Sequence, residues 1–196
     1  MPFLYGIMVG RHVYLGKVKA MNELRITSPA SLPNLGLSIC PGKIDPHAWS
    51  GPCSRNLAED IQTIRDWGTS TVVTLMEDAE LALLHVANLG DAVKKVGMEW
   101  RHWPVLDQSA LRIRNQQEKD PWASQCLELL AKLHGGEKIF VHCRGGLGRT
   151  GTLAARLLIE NGLPPEAAIL EVREARNGAI ETREQEEYLL KLLWKN

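Results

Sequence analysis

Apolar and β-branched positions recur along the chain with two periods, and short strand-like runs alternate with longer amphipathic ones. Pro29, Pro33, Pro41, Pro46 and Pro52 punctuate a loop-rich region around the apolar run Leu35 to Cys40. Asn56 is placed to cap a helix to about Trp67, with Leu57, Ile61 and Ile64 on one face and Gly68 as its stop. Thr71 to Met76 is short and β-branched, the pattern of a buried strand. Leu81 to Val96 reads as one amphipathic helix closed by Gly97, and Met98 to Trp103 as an edge strand before Pro104. Trp122 to Leu133 is helical, Gly135-Gly136 breaks it, and Lys138 to Val141 is the next strand. Helices are then predicted over Gly148 to Glu160, Pro165 to Arg176 and Thr182 to Trp194, with Pro165 suited to a first helical position. Strands alternating with helices predict an α/β fold: a central, mostly parallel sheet flanked by helices on both faces.

Length and composition sharpen this without changing it. With 196 residues, 44% hydrophobic and 23% charged, the chain is expected to form one main domain over 31–196. Residues 1–30 read as an N-terminal arm or edge element. Within them Met1 to Ala20 leaves three readings open: an edge strand, a loose arm, or sequence upstream of a natural start at Met21. Lys+Arg and Asp+Glu both number 23, so the balance gives no electrostatic case for a nucleic-acid or membrane-surface protein. No apolar run reaches the length of a membrane span, and Phe3 to Val9 lacks the flanks of a secretory signal. Cys40, Cys53, Cys126 and Cys143 form no CxxC pair and no zinc-like spacing with the six histidines. A reducing, cytoplasmic setting fits that usage.

The chemistry concentrates in Ile139-Phe-Val-His142-Cys143-Arg144-Gly145-Gly146-Leu147-Gly148-Arg149-Thr150-Gly151. A strand ends in His-Cys, a glycine-rich loop follows, and a strongly helical pattern begins. Backbone N–H groups of such a loop and of the first helical turn are unsatisfied and turn toward an oxyanion. Arg144, Gly145, Gly146, Leu147 and Gly148 would form the cradle, its glycines removing Cβ atoms that would block a concave backbone. Five residues separate Cys143 from Arg149, so the thiol can lie on the floor while the guanidinium folds over the same centre. The planar Arg fork binds two phosphate oxygens, which Lys does not reproduce. The same field favours the thiolate form of Cys143, a nucleophile aimed at phosphorus. Thr150 can donate its hydroxyl to that sulfur, and His142 orients the loop.

On these residues the sequence resembles the cysteine-dependent phosphatases, whose signature is His-Cys-x5-Arg-Thr-Gly. Leu35-Gly-Leu-Ser-Ile-Cys-Pro-Gly42, Arg55-Asn-Leu, Trp67-Gly68, His102-x-Pro104 and Gly178-Ala-Ile-Glu-Thr extend the likeness over roughly residues 35 to 190. The pattern is closest to the kinase-associated group of dual-specificity phosphatases. The resemblance implies hydrolysis of phosphotyrosine and phosphoserine or phosphothreonine in a phosphoprotein or phosphopeptide, through a phosphocysteine and without metal or organic cofactor. It also implies an Asp that protonates the departing oxygen. Asp107, in Arg101-His-Trp-Pro-Val-Leu-Asp107-Gln-Ser, stands at that position, and Asp120 before Pro121 is the alternative. Near the C-terminus Arg176-Asn-Gly178-Ala-Ile-Glu181-Thr182-Arg-Glu-Gln185 is similar to the family's water-positioning loop. There a Gln-Thr pair precedes a second Gln; Gln185 matches the second and Glu181 replaces the first. Capping of a helix by Thr182 with Gln185 three residues later reads the same residues structurally.

Three rival functions share parts of this pattern. An inositol-phosphate or phosphoinositide phosphatase uses the same nucleophile and arginine but adds lysines in the loop, where this chain has only Arg144 besides Arg149. A sulfurtransferase loop also opens on Cys-Arg but lacks the Arg-Thr-Gly helix entry. A silent phosphate-binding module keeps the cradle and loses the Cys, the Arg or the acid, all present here. Cys126 reads as core, and Cys40 and Cys53 as thiols that could reach Cys143.

Overall fold

In the computed structural model the described residues are 24–48, 51–111, 120 and 122–192. Four strands form the central sheet: β1 (Leu35–Ser38), β4 (Thr69–Thr74), β5 (Glu99–His102) and β6 (Lys138–His142). Their order is β1-β6-β4-β5, and every pairing is parallel. A small antiparallel pair, β2 (Ile44–Asp45) and β3 (Cys53–Ser54), stands apart from it. Parallel strands buried on both faces read as continuous apolar runs, and β4 and β6 do so. Val72, Val73, Ile139, Phe140 and Val141 are fully buried, as are Thr74 and His142 at the strand ends.

Seven helices are described: α1 (Leu57–Asp66), α2 (Asp78–Leu83), α3 (Leu89–Lys95), α4 (Ala123–His134), α5 (Gly148–Glu160), α6 (Pro165–Ala175) and α7 (Arg183–Leu190). α1 and α3 pack on each other and on β4 and β5. The other group, α4 to α7, gathers around α5, which lies on β1 and β6. The two groups sit on opposite faces of the sheet, the layering expected from the alternating pattern. Every residue of α5 from Gly148 to Ile159 is buried, so this helix is the centre of its layer. Among the described residues no helix is long and apolar enough to cross a membrane.

Local chemistry sets the boundaries. Asn56 caps α1 with its side-chain oxygen accepting from Ala58 and Glu59 N–H, and Gly68 follows at φ +93°. The region expected as one helix from Leu81 to Val96 is two, α2 and α3. The chain reverses at His85, φ +59°, where Val86 N–H donates back to Leu81 O. The apolar positions Leu81, Leu84, Val86, Leu89 and Val93 all face the core, and the two-residue step at 84–86 is incompatible with one helical stripe. β4 begins two residues before the expected start and ends at Thr74, with Leu75 and Met76 buried beyond it. Of the expected 1–30 arm, residues 24–30 are described. Thr27 and Leu37 exchange antiparallel hydrogen bonds at 3.1 and 2.8 Å, and Leu24 is buried. The stretch Met1 to Ala20, Pro121 and the expected end of the last helix at Trp194 lie outside the described residues.

Candidate active site

β6 delivers Cys143 at the edge of the central core, 3% exposed, and α5 begins five residues later. The intervening loop is tied by its carbonyls. Arg144 O accepts from Cys40 N–H at 3.5 Å, and Gly145 O and Gly146 O both accept from the Arg176 guanidinium. Leu147 O accepts from Gly151 N–H at 2.8 Å and Ile180 N–H at 3.3 Å. With four consecutive carbonyls held from outside, the peptide planes turn their N–H groups the other way. Gly146 N–H points to Cys143 Sγ at 3.2 Å, while those of Arg144, Gly145 and Leu147 donate to no described residue. Gly146 has φ +70°, and a Cβ there would come within 2.2 Å of Ser38 O, so the bend requires glycine.

Arg149 is 1% exposed and fixed by residues far away in sequence. Its Nη1 and Nη2 bond the two carboxylate oxygens of Glu80 at 2.6 and 2.8 Å, and Nη1 also reaches Leu75 O and Val105 O. Burial alone would lower its pKa, but the Glu80 pair and the nearby Cys143 raise it above the ordinary arginine value. Its other edge carries Nε, buried without a partner, and Nη2, which lies 3.0 Å from Asp107 Oδ1. That edge is the one a second planar or tetrahedral oxyanion would take.

Cys143, Arg149, Asp107, Arg144, Arg176 and Glu181 line one cleft of about 740 Å³. Arg144 extends over its rim to Asp45 Oδ2 at 2.9 Å, and Lys43 Nζ reaches the same oxygen at 3.3 Å. Burial opposes ionisation of Asp45, but hydrogen bonds from Arg144 and Lys43 outweigh it and hold the carboxyl below its usual range. Burial lowers the Arg176 pKa, partly offset by the charge of Cys143. His142 is completely buried with Nε2 2.8 Å from Thr74 Oγ1, which also accepts from Trp100 Nε1. Burial pushes its pKa down to about 3, so a neutral ring ties the ends of β4 and β6 beneath the loop.

The remaining expected residues fall into place differently. Asp107 lies after Val105, with its side chain half exposed at the cleft. Asp120 lies away from the cleft and bonds Arg156 through both oxygens at 2.7 and 2.6 Å, which lowers its pKa. Thr150 Oγ1 is buried without a hydrogen-bond partner and makes no bond to Cys143 Sγ. Gln185 is fully buried in a capping box: its Oε1 accepts from Glu181 and Thr182 N–H at 2.9 and 3.2 Å. Its Nε2 donates to Ser109 O at 3.2 Å, so the side chain joins α7 to the Asp107 loop. Glu181 turns its Oε2 onto Gly148 N–H at 2.7 Å. Cys40 and Cys126 are buried, Cys53 lines the cleft, and all four cysteines are free thiols. No group of three or more metal-binding side chains occurs among the described residues. Sequence reasoning missed Glu80, Asp45 and Arg176, whose partners are fixed only by the fold.

Comparison with known proteins places this arrangement. Cyclin-dependent kinase inhibitor 3 of Sus scrofa is 31% identical over 142 residues, covering 69% of this chain and 62% of the relative. The chain thus spans less than two thirds of that relative's length. Kinase associated phosphatase, solved with its catalytic-site cysteine replaced by serine, superposes with a TM-score of 0.68 at 27% identity, over 85% of this chain and 91% of the other. Tk-PTP in its active form gives a TM-score of 0.57 at 30% identity, over 81% and 92%. Residues 42–189 match the family described as Swiss Army Knife protein, DSP-PTPase phosphatase domain, and they contain the strand, loop and helix that hold Cys143 and Arg149. The chain belongs to that family of dual-specificity and tyrosine phosphatase domains.

Proposed function

We propose that this chain is a protein phosphatase that hydrolyses phosphotyrosine and, in the same cleft, phosphoserine or phosphothreonine, through a phosphocysteine on Cys143. The observation that carries the reading is the outward tethering of the four loop carbonyls around a nucleophile that Arg149 overhangs. Such a cradle offers several N–H donors to one phosphate dianion, and it is built before the phosphate arrives. Cys143 Sγ attacks phosphorus, the S–P bond forms, and the P–O ester bond breaks. Asp107 gives its proton to the departing oxygen. Water then attacks phosphorus, the S–P electrons return to sulfur, and the Asp107 carboxylate takes the water's proton. Arg149, with the backbone of Arg144 to Gly148, holds the phosphoryl oxygens through both steps.

Residues 31–196 form the catalytic domain in this reading, with the preceding segment as an arm. The relatives' names, a cyclin-dependent kinase inhibitor and a kinase associated phosphatase, support a phosphoprotein substrate. Free thiols throughout suit a reducing, cytoplasmic setting. The test is hydrolysis of p-nitrophenyl phosphate across pH, with chelator present, by wild type and Cys143→Ser. The expected result is a bell-shaped, cysteine-dependent rate; turnover retained in Cys143→Ser would refute the thiolate mechanism. Phosphopeptide and inositol-phosphate panels then read the substrate class.

A further inference from the structure

The cradle contains an acceptor of its own. Glu181 Oε2 takes the N–H of Gly148 at 2.7 Å, and Gly148 is the first residue of the 13-residue helix whose N-terminus faces the cleft. That N–H belongs to the set that the proposed reaction needs for phosphate. The approach depends on glycine: a Cβ at 148 would lie 2.6 Å from the same carboxylate oxygen. The position of Glu181 is fixed from behind. Its own N–H is held by Gln185 Oε1 at 2.9 Å, Ile180 N–H by Leu147 O, and Ile180 O by Arg173 Nη2 at 3.3 Å. No described lysine or arginine forms an ion pair with Glu181. The carboxylate therefore finds its stabilisation in the helix terminus itself, where an anion is favoured.

A phosphate dianion entering the cradle meets this charge. It must displace Glu181 from Gly148 or accept a like charge at close range at the mouth of the cleft. A glutamine at the same place would accept the same N–H through its amide oxygen without the charge. We infer that Glu181 sets the anion affinity of the cradle: its carboxylate competes with the substrate's phosphate for Gly148 N–H and weakens binding relative to a neutral side chain. The inference rests on the phosphatase reading. It concerns binding of the first anion and assigns Glu181 no proton transfer.

The test is calorimetric titration of tungstate into the full chain, wild type beside Glu181→Gln and Glu181→Ala, with Km and kcat for p-nitrophenyl phosphate measured on the same samples. The two variants are expected to bind tungstate about tenfold more tightly, with a parallel fall in Km. Glu181→Ala decides the matter should the glutamine variant fold poorly, and melting curves identify that case. Unchanged or weaker tungstate binding in a folded variant overturns the inference while leaving Cys143-dependent hydrolysis intact. So does a fall in kcat with no change in tungstate affinity, which would make Glu181 a proton-transfer or water-positioning group. If no form binds tungstate or turns over the aryl phosphate, the phosphatase reading fails and takes this inference with it.

Discussion

Asp107 pairs with Arg149 through the same Nη2 that an incoming phosphate would claim. In the proposed reaction, substrate binding would break this contact and leave the carboxyl facing the departing oxygen. Asp107→Asn is expected to slow hydrolysis of poorly leaving alkyl phosphates by two to four orders of magnitude, the usual range of acid catalysis, and good aryl leaving groups far less. A leaving-group series on both proteins measures this, and equal losses across the series would count against Asp107 as the acid. His142 makes a different statement, about stability. In the unfolded chain its ring takes a proton near pH 6.5, and in the folded protein only near pH 3. The folded state thus binds fewer protons between these values, and the contribution is complete above about 6.5. Below that it is lost at about 1.4 kcal/mol per pH unit as acid is added. Urea unfolding from pH 7 to 4 should show this slope, and His142→Asn should flatten it by about one proton.

Among the elements, those with local signals could be read directly: Asn56 and Gly68 bracket α1, and the β-branched run gave β4 within two residues. The glycine loop between β6 and α5 was legible for the same reason, since its backbone demands are written in residue type. The break at His85 was not, because a mean amphipathic pattern hides one two-residue step until the core shows both Leu84 and Val86 inside. Gln185 illustrates a residue whose type suits two purposes. Its motif position fits water positioning, yet its amide is consumed by two N–H groups of the α7 cap and by Ser109 O. Gln185→Ala would take the partner from two part-buried donors and release the Asp107 loop. A loss of about 2 kcal/mol in denaturant unfolding is expected, together with a larger activity loss on poor leaving groups than on good ones.

On the scale of the molecule, Asp45, Glu80, Asp107 and the α6–α7 connection with Arg176 and Glu181 reach the loop and Arg149 from four separate segments. A single sequence names the loop and, through the family resemblance, Asp107 and Glu181, but not the contacts of Asp45, Glu80 and Arg176, because only the closed sheet and its two helical layers bring these near. The layers also differ in depth. α5 is buried along its length, whereas the Asp107 loop is anchored at its rim by side chains of the α7 cap, with Thr182 Oγ1 on Gln108 O at 3.3 Å. Amide hydrogen exchange should therefore be slowest in β6 and α5 and fast around residues 107–110. Partial unfolding in rising urea would then silence alkyl esters first, while activated phenyl esters, which leave without a proton, would still be cleaved. On the proposed mechanism, the buried helix would make the nucleophile the last part of the site to be lost, and its selectivity among leaving groups the first.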